Sequence, residues 1–254
     1  MEQIKKYELV PDAEERFMGR VVHRICAMRD FGCVRAGDIG GFVESEDNLS
    51  QEDEAWIYGD AVVCDHAKVF ENASVYNYAK VLGNASVYND AVVAGSASVY
   101  GNARVYGKSK VHGYASVYEQ AEVGGFATVT GNASVCGEAT INGVAWVTDR
   151  ATVCGSANLY EGAEICGEAL VTDNADYATV KGFGRDNRQS TFFRCRDGKV
   201  RARRGCFYGT IPEFREIVKD THGDGKLAKE YLAIADLMEL HFTKEGGGDH
   251  GREV

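Results

Sequence analysis

The chain has 254 residues, 38 Asp and Glu against 28 Lys and Arg, and a formal net charge of −10; that balance argues against a general nucleic-acid binder while leaving room for local basic patches. Eight cysteines without a Cys-x-x-Cys pair, no apolar stretch between Met1 and Pro11, and no apolar run long enough to span a bilayer lead us to expect a reduced, soluble, cytoplasmic protein without a membrane segment. Only two prolines occur, which suits a β-ladder fold whose interior positions need their N–H groups.

Residues 1–54 stand outside the pattern that follows and are expected to cap it. Arg20 to Ala27 alternates well enough for a strand, and Gly37 to Val43 leads toward the next segment. Between Glu44 and Glu54 six of eleven residues are acidic, a run read as a solvated loop.

From Ala55 to Ala175 every sixth residue is Ala, with Ser109 as the exception, and two places after each stands Val, Ile or Leu until Tyr177. Those 21 hexads, such as Gly101-Asn102-Ala103-Arg104-Val105, run in phase without an insertion. A fixed short period predicts a solenoid whose units bury their apolar side against neighbours. Residues two apart point to one side of a short strand, and the Gly-Asn pair tolerates φ > 0, so each hexad reads as one strand and one corner. All inward Ala and aliphatic positions are expected to face a thin core. This pattern resembles the hexapeptide-repeat, left-handed β-helix family with three hexads per coil, which implies an all-β solenoid of about seven coils over residues 55–177.

Beyond Tyr177 a small α+β module is predicted over 178–245, with a loose polar terminus at 246–254. Ser190 to Cys195 and Lys199 to Arg203 flank Asp197-Gly198, a two-residue hairpin signal. Thr210-Ile211-Pro212-Glu213 reads as a capping box opening a helix with Phe214, Ile217 and Val218 on one face. A second helix from about Asp224 carries Leu227, Tyr231, Ile234 and Met238 on one stripe.

The entry Arg29-Asp30-Phe31-Gly32 with Gly40-Gly41-Phe42-Val43-Glu44-Ser45, and the tail Gly205-Cys206-Phe207-Tyr208-Gly209-Thr210 with Thr221-His222-Gly223-Asp224, resemble phage- and prophage-borne hexapeptide-repeat proteins. The likeness implies an architecture and a genomic setting, not a reaction. Acyltransferases of this fold use a His base beside a loop that leaves the coils, and no such loop is visible here. His66 and His112 are the repeat's histidines, spaced by a number that is not a multiple of six, so no metal site is expected. His112 is the better base candidate, with Arg104, Tyr106, Lys108 and Lys110 nearby in sequence to hold phosphates.

Sorted by eighteen residues, one outward column reads Trp56, Ser74, Val92, Lys110, Thr128, Trp146, Glu164. Its Trp56, Val92 and Trp146 suggest a contact surface, covered by a terminal segment or by further copies, a trimer being what the family implies. Phe70, Tyr88 and Tyr106, and Tyr100 above Tyr118, form aromatic columns. On the hairpin, a two-residue turn would oppose Arg196 to Lys199 and Arg194 to Arg201, and like charges facing each other are unfavourable. With Arg203 these form a second anion-binding candidate, compensated by the acidic 44–54 run or by an external phosphate. The expected function is a non-catalytic phage or prophage accessory protein, binding a host protein or an anionic nucleotide in a counter-defence role without a cofactor. The alternative is an acyl-CoA-dependent acyltransferase.

Overall fold

A computed structural model describes residues 4–184 and 187–243; the 246–254 terminus lies outside them. The chain divides between Asn174 and Ala175 into two compact units.

The first unit is a β-solenoid. Two-residue parallel strands run from Trp56–Ile57 to Leu170–Val171 and form three sheets. Strands eighteen residues apart pair in register, as Ser98↔Ser116 and Val99↔Val117 do, so one coil takes three hexads. Face 1 carries the Trp56, Ser74, Val92, Lys110, Thr128, Trp146, Glu164 column. Face 2 carries Val62, Lys80, Ser98, Ser116, Ser134, Thr152 and Leu170. Face 3 carries Lys68, Ser86, Arg104, Glu122, Thr140 and Asn158. Every Ala and aliphatic position from Ala55 to Val171 is buried, and full burial of each Val contributes about 1.5–3 kcal/mol. Ser109 keeps its place in this core because its hydroxyl lies 2.7 Å from Tyr106 O and 3.1 Å from Val123 O.

The corners turn on one residue each. Positive φ falls on the position two places after the aliphatic residue, as at Gly83, Gly101 and Gly107, and not on the Asn that follows. At Gly101 an added Cβ would lie 2.9 Å from Glu119 N. At several corners where the position is not Gly, its side chain caps the next coil. Asp65, Asn89 and Asp149 accept the N–H groups of Gly83, Gly107 and Gly167 at 2.9, 3.1 and 2.9 Å. That bond offsets part of the cost of a left-handed backbone.

The repeat departs from expectation at both ends. The last hexad is not a strand: Ala175 lies in the 3-10 turn Asn174–Asp176 and is exposed. At the start, Phe42↔Val62, Val43↔Val63 and Leu49↔Val69 pair at a spacing of 20. A partial coil therefore precedes Ala55, hidden in the sequence by Gly41 and Asp47 at the Ala positions and by two extra residues before Ile57. The acidic run belongs to this coil, and its Glu46, Asp47, Glu52, Asp53 and Glu54 are exposed to solvent as expected. Ser45 and Asn48 cap the Glu46–Asn48 turn, and the buried Asn48 Nδ2 donates to Asp65 O and Ala67 O.

Strands Tyr7–Phe17 and Arg20–Ala27 form an antiparallel hairpin beyond the Ile39–Val43 strand and extend the face 2 sheet. The Gly40-Gly41 pair is required by close approach: a Cβ on Gly40 would sit 2.7 Å from the Trp56 ring and one on Gly41 2.5 Å from Ala61 O. Lys6 is fully buried, its ammonium donating to Glu52 O at 2.9 Å and Ala55 O at 3.0 Å. Burial lowers its pKa to about 8.

The second unit is a four-stranded antiparallel sheet, Tyr177–Val180, Ser190–Arg194, Val200–Arg204 and Phe207–Thr210, followed by α1 (Ile211–His222) and α2 (Lys226–Phe242). Phe192, Ala202, Phe214, Val218, Tyr231 and Met238 share one core. The capping box forms as expected, Glu213 Oε2 accepting from Thr210 N at 2.6 Å.

Candidate functional site

The coil candidates sit on a single turn of chain. Arg104 lies on face 3, Tyr106 and Lys108 on the corner after it, Lys110 on face 1 and His112 on the next corner. Successive hexads point to different sides of a prism, so residues adjacent in sequence diverge around a convex surface. The structure therefore does not gather them into one phosphate cradle. Arg104 is already engaged, 3.0 Å from Glu122 Oε1 and 3.3 Å from Tyr88 OH. Lys108 extends over the Phe126 ring at 5.9 Å. His112 Nδ1 lies 3.0 Å from Thr130 Oγ1. A hydroxyl there fixes the ring without the carboxylate that usually orients a catalytic imidazole.

Concave ground lies elsewhere. A groove of about 470 Å³ runs between the N-terminal hairpin and face 2, lined by Arg16, Phe17, Asp60, Tyr78 and Lys80 among others. A second, of about 560 Å³, is bordered by Glu44, Asp47, Asp65, His66 and Lys68. His66 and His112 stand on different corners, and among the described residues no group of three or more His, Cys, Asp or Glu could hold a metal ion. Sequence reasoning missed both grooves because the hairpin that walls the first, and the partial coil that walls the second, carry no repeat signal.

The aromatic columns stack on themselves. Phe70–Tyr88, Tyr88–Tyr106 and Tyr100–Tyr118 have centroids 5.0, 5.5 and 5.0 Å apart, and Tyr58–Tyr76, not singled out in the sequence, is closer at 4.3 Å. Tyr106 then leans over Gly124, where a Cβ would meet its ring at 2.5 Å. The facing sides of these rings are thus occupied within each column.

On the hairpin the expected register is corrected by one residue. Arg194 faces Val200 and Arg201 faces Phe193, so the opposed cations disappear. The loop has three residues, because Cys195 pairs with Lys199 and Gly198, at φ 76, supplies the left-handed bulge position. Asp197 Oδ1 accepts from Lys199 N at 3.1 Å. Its carboxylate also takes a two-pronged pair from Arg201 at 2.9 and 2.7 Å, which holds the acid well below the usual carboxylate range. Arg194 pairs with Asp176 at 3.1 Å and donates to Phe242 O at 2.9 Å. Asp176 thus compensates Arg194 and Asp197 compensates Arg201. Arg196 and Lys199 remain exposed and Arg203 is half-buried. Arg204, next in the chain, is structural and bonds Tyr231 OH at 2.7 Å and Ser190 Oγ at 3.0 Å. A groove of about 310 Å³ beside this sheet is lined by Lys199, Val200, Thr210, Ile211, Pro212 and Glu239.

The proposed contact column is split. Trp56 is 1% exposed, covered by Phe31 and Tyr7 at 5.3 and 6.2 Å, and so is closed to any partner. Val92 is half-buried. Trp146 is 53% exposed.

Residues 97–113 match a family model described as YdcK Beta solenoid repeat. The chain carries a β-solenoid repeat. The matched segment spans parts of all three faces, including Arg104, Lys110 and His112, and describes coils rather than chemistry. No curated protein matches the chain. No helix among the described residues is long and apolar enough to cross a membrane.

Proposed function

We propose that this protein is a non-catalytic binding or scaffold protein. The observation that carries this reading is the uniformity of the coils: hexads of one length follow one another from Ala55 to Val171 and no segment leaves them. An acyl transfer needs an acceptor and a thioester held within reach of a base, which in turn needs concave ground. His112 borders none of the three grooves described above. The likeness of the entry and tail motifs to phage- and prophage-borne proteins supports a place in that setting, with sequestration of a host protein or an anionic nucleotide as the specific role.

Native mass spectrometry of the purified chain tests the binding role, with a co-purified protein or nucleotide as the expected result. Ligands held by exposed cations such as Lys108, Lys110 and Lys199 should be released as salt rises, since screening acts over about 10 Å at 0.1 M. The acyltransferase alternative rests on His112 alone. Acetyl-CoA turnover that disappears in His112→Ala would replace the binding reading with that enzyme.

A further inference from the structure

Beyond the buried Trp56, the corner between faces 3 and 1 leaves a compact apolar patch in water. Phe126 is 61%, Val144 58% and Trp146 53% exposed. Phe126 N donates to Gly143 O at 2.7 Å, which sets Phe126 and Val144 one above the other on the corner. Thr128 pairs with Trp146 in register on the adjoining face. Three large apolar groups thus share two neighbouring coils, each more than half exposed, with the Lys108 ammonium 5.9 Å from the Phe126 ring centroid.

The charges above and below the patch differ in sign. One coil toward the N-terminus stand the exposed Lys108 and Lys110. One coil toward the C-terminus stand the exposed Glu161 and Glu164. Coil by coil the order is cationic, apolar, apolar, anionic. That order is self-complementary under one operation: a two-fold axis lying in the interface at right angles to the coil axis, between the coils of Phe126 and Val144. The axis sets Phe126 against Val144 of the second copy and Thr128 against Trp146. It brings the Lys108 and Lys110 coil opposite the Glu161 and Glu164 coil, twice over.

From this we infer that the protein associates with a second copy of itself, antiparallel, through the Phe126, Val144 and Trp146 patch. The contact is isologous and therefore closes at two copies. A trimer around an axis parallel to the coils keeps every residue at its own height, and Lys110 and Glu164, three coils or roughly 14 Å apart, would never meet. The inference does not depend on whether the protein is catalytic.

The test uses the full chain, with mass in solution read by light scattering or sedimentation at micromolar concentrations. The native chain should be a dimer. Trp146→Glu should be monomeric while keeping the circular dichroism of the native fold, its unfolding temperature falling only by what the lost association contributed. Lys110→Glu and Glu164→Lys should each weaken the dimer about tenfold or more, and the double variant should recover it because both inter-copy pairs are restored in reverse. A monomeric or trimeric native chain overturns the inference, and so does a double variant as weak as the singles.

Discussion

Lys6 is a lysine without water, and its position explains why the N-terminal cap tolerates a buried charge. Two carbonyls, Glu52 O and Ala55 O, face it where the chain enters the first full coil, and an unmet carbonyl there would cost about 1–3 kcal/mol. Lys6→Met should therefore destabilise the fold by about that amount. The lysine's pKa falls from 10.5 to about 8 on folding. The folded chain releases this proton before the unfolded one, so stability rises with pH between about 8 and 10.5 on this group's account. Cys64 works in the opposite direction, burial raising it from 9.0 to about 11, which removes stability as pH rises above 9. Chemical denaturation at pH 8 and pH 9 should show a rise for the native chain and none for Lys6→Met. Ala103 makes the complementary point about the coil core, where the side chain has no exposed surface. Ala103→Leu should overpack it and cost roughly 1–3 kcal/mol in a denaturant titration. Ser109→Ala should stay within about 1 kcal/mol, since Ala fills the same place in every other hexad of the coils with no hydroxyl at that carbonyl.

At the scale of the element, corners and caps carry more specificity than strands do. Every strand from Trp56–Ile57 to Leu170–Val171 is two residues long, and its neighbours are set by the corner on either side. Gly101→Ala should be costly because its φ of 72 and the 2.9 Å approach to Glu119 N both exclude a Cβ; a loss of about 1–3 kcal/mol in thermal unfolding is the expected result. Glu213→Ala should remove one arm of the α1 capping box, costing about 0.5–2 kcal/mol. These elements also mark how far the sequence could be read. A strict hexad dictates faces, columns and inward positions, so the solenoid, the Trp146 column and the stacked tyrosines were legible. The partial coil was not, because Gly41 and Asp47 stand at the Ala positions and two inserted residues break the phase. The hairpin register failed for a local reason: Asp197 spends its carboxylate on Lys199 N and Arg201, which stabilises a three-residue loop over the two-residue one that Asp-Gly suggests. The coil site failed for a geometric reason, since closeness in sequence along a convex prism means divergence in space.

Across the whole molecule, coils of one length with in-register pairing make length itself a free variable. Within the repeat each strand pairs with the strand one coil before and the strand one coil after. Excising Ala85 to Asn102 removes one full coil and joins Asn84 to Ala103, leaving every later residue on its original face. Circular dichroism and cooperative unfolding close to those of the parent are the expected result. Removing only two hexads should still give a folded solenoid, but every column beyond the cut would move round to a different side. The protein behaves in this respect as a graduated ruler wound on a three-sided spool. Inheritance could lengthen or shorten it in steps of eighteen residues without renegotiating the fold, whereas any other step turns what the far end presents relative to the near one.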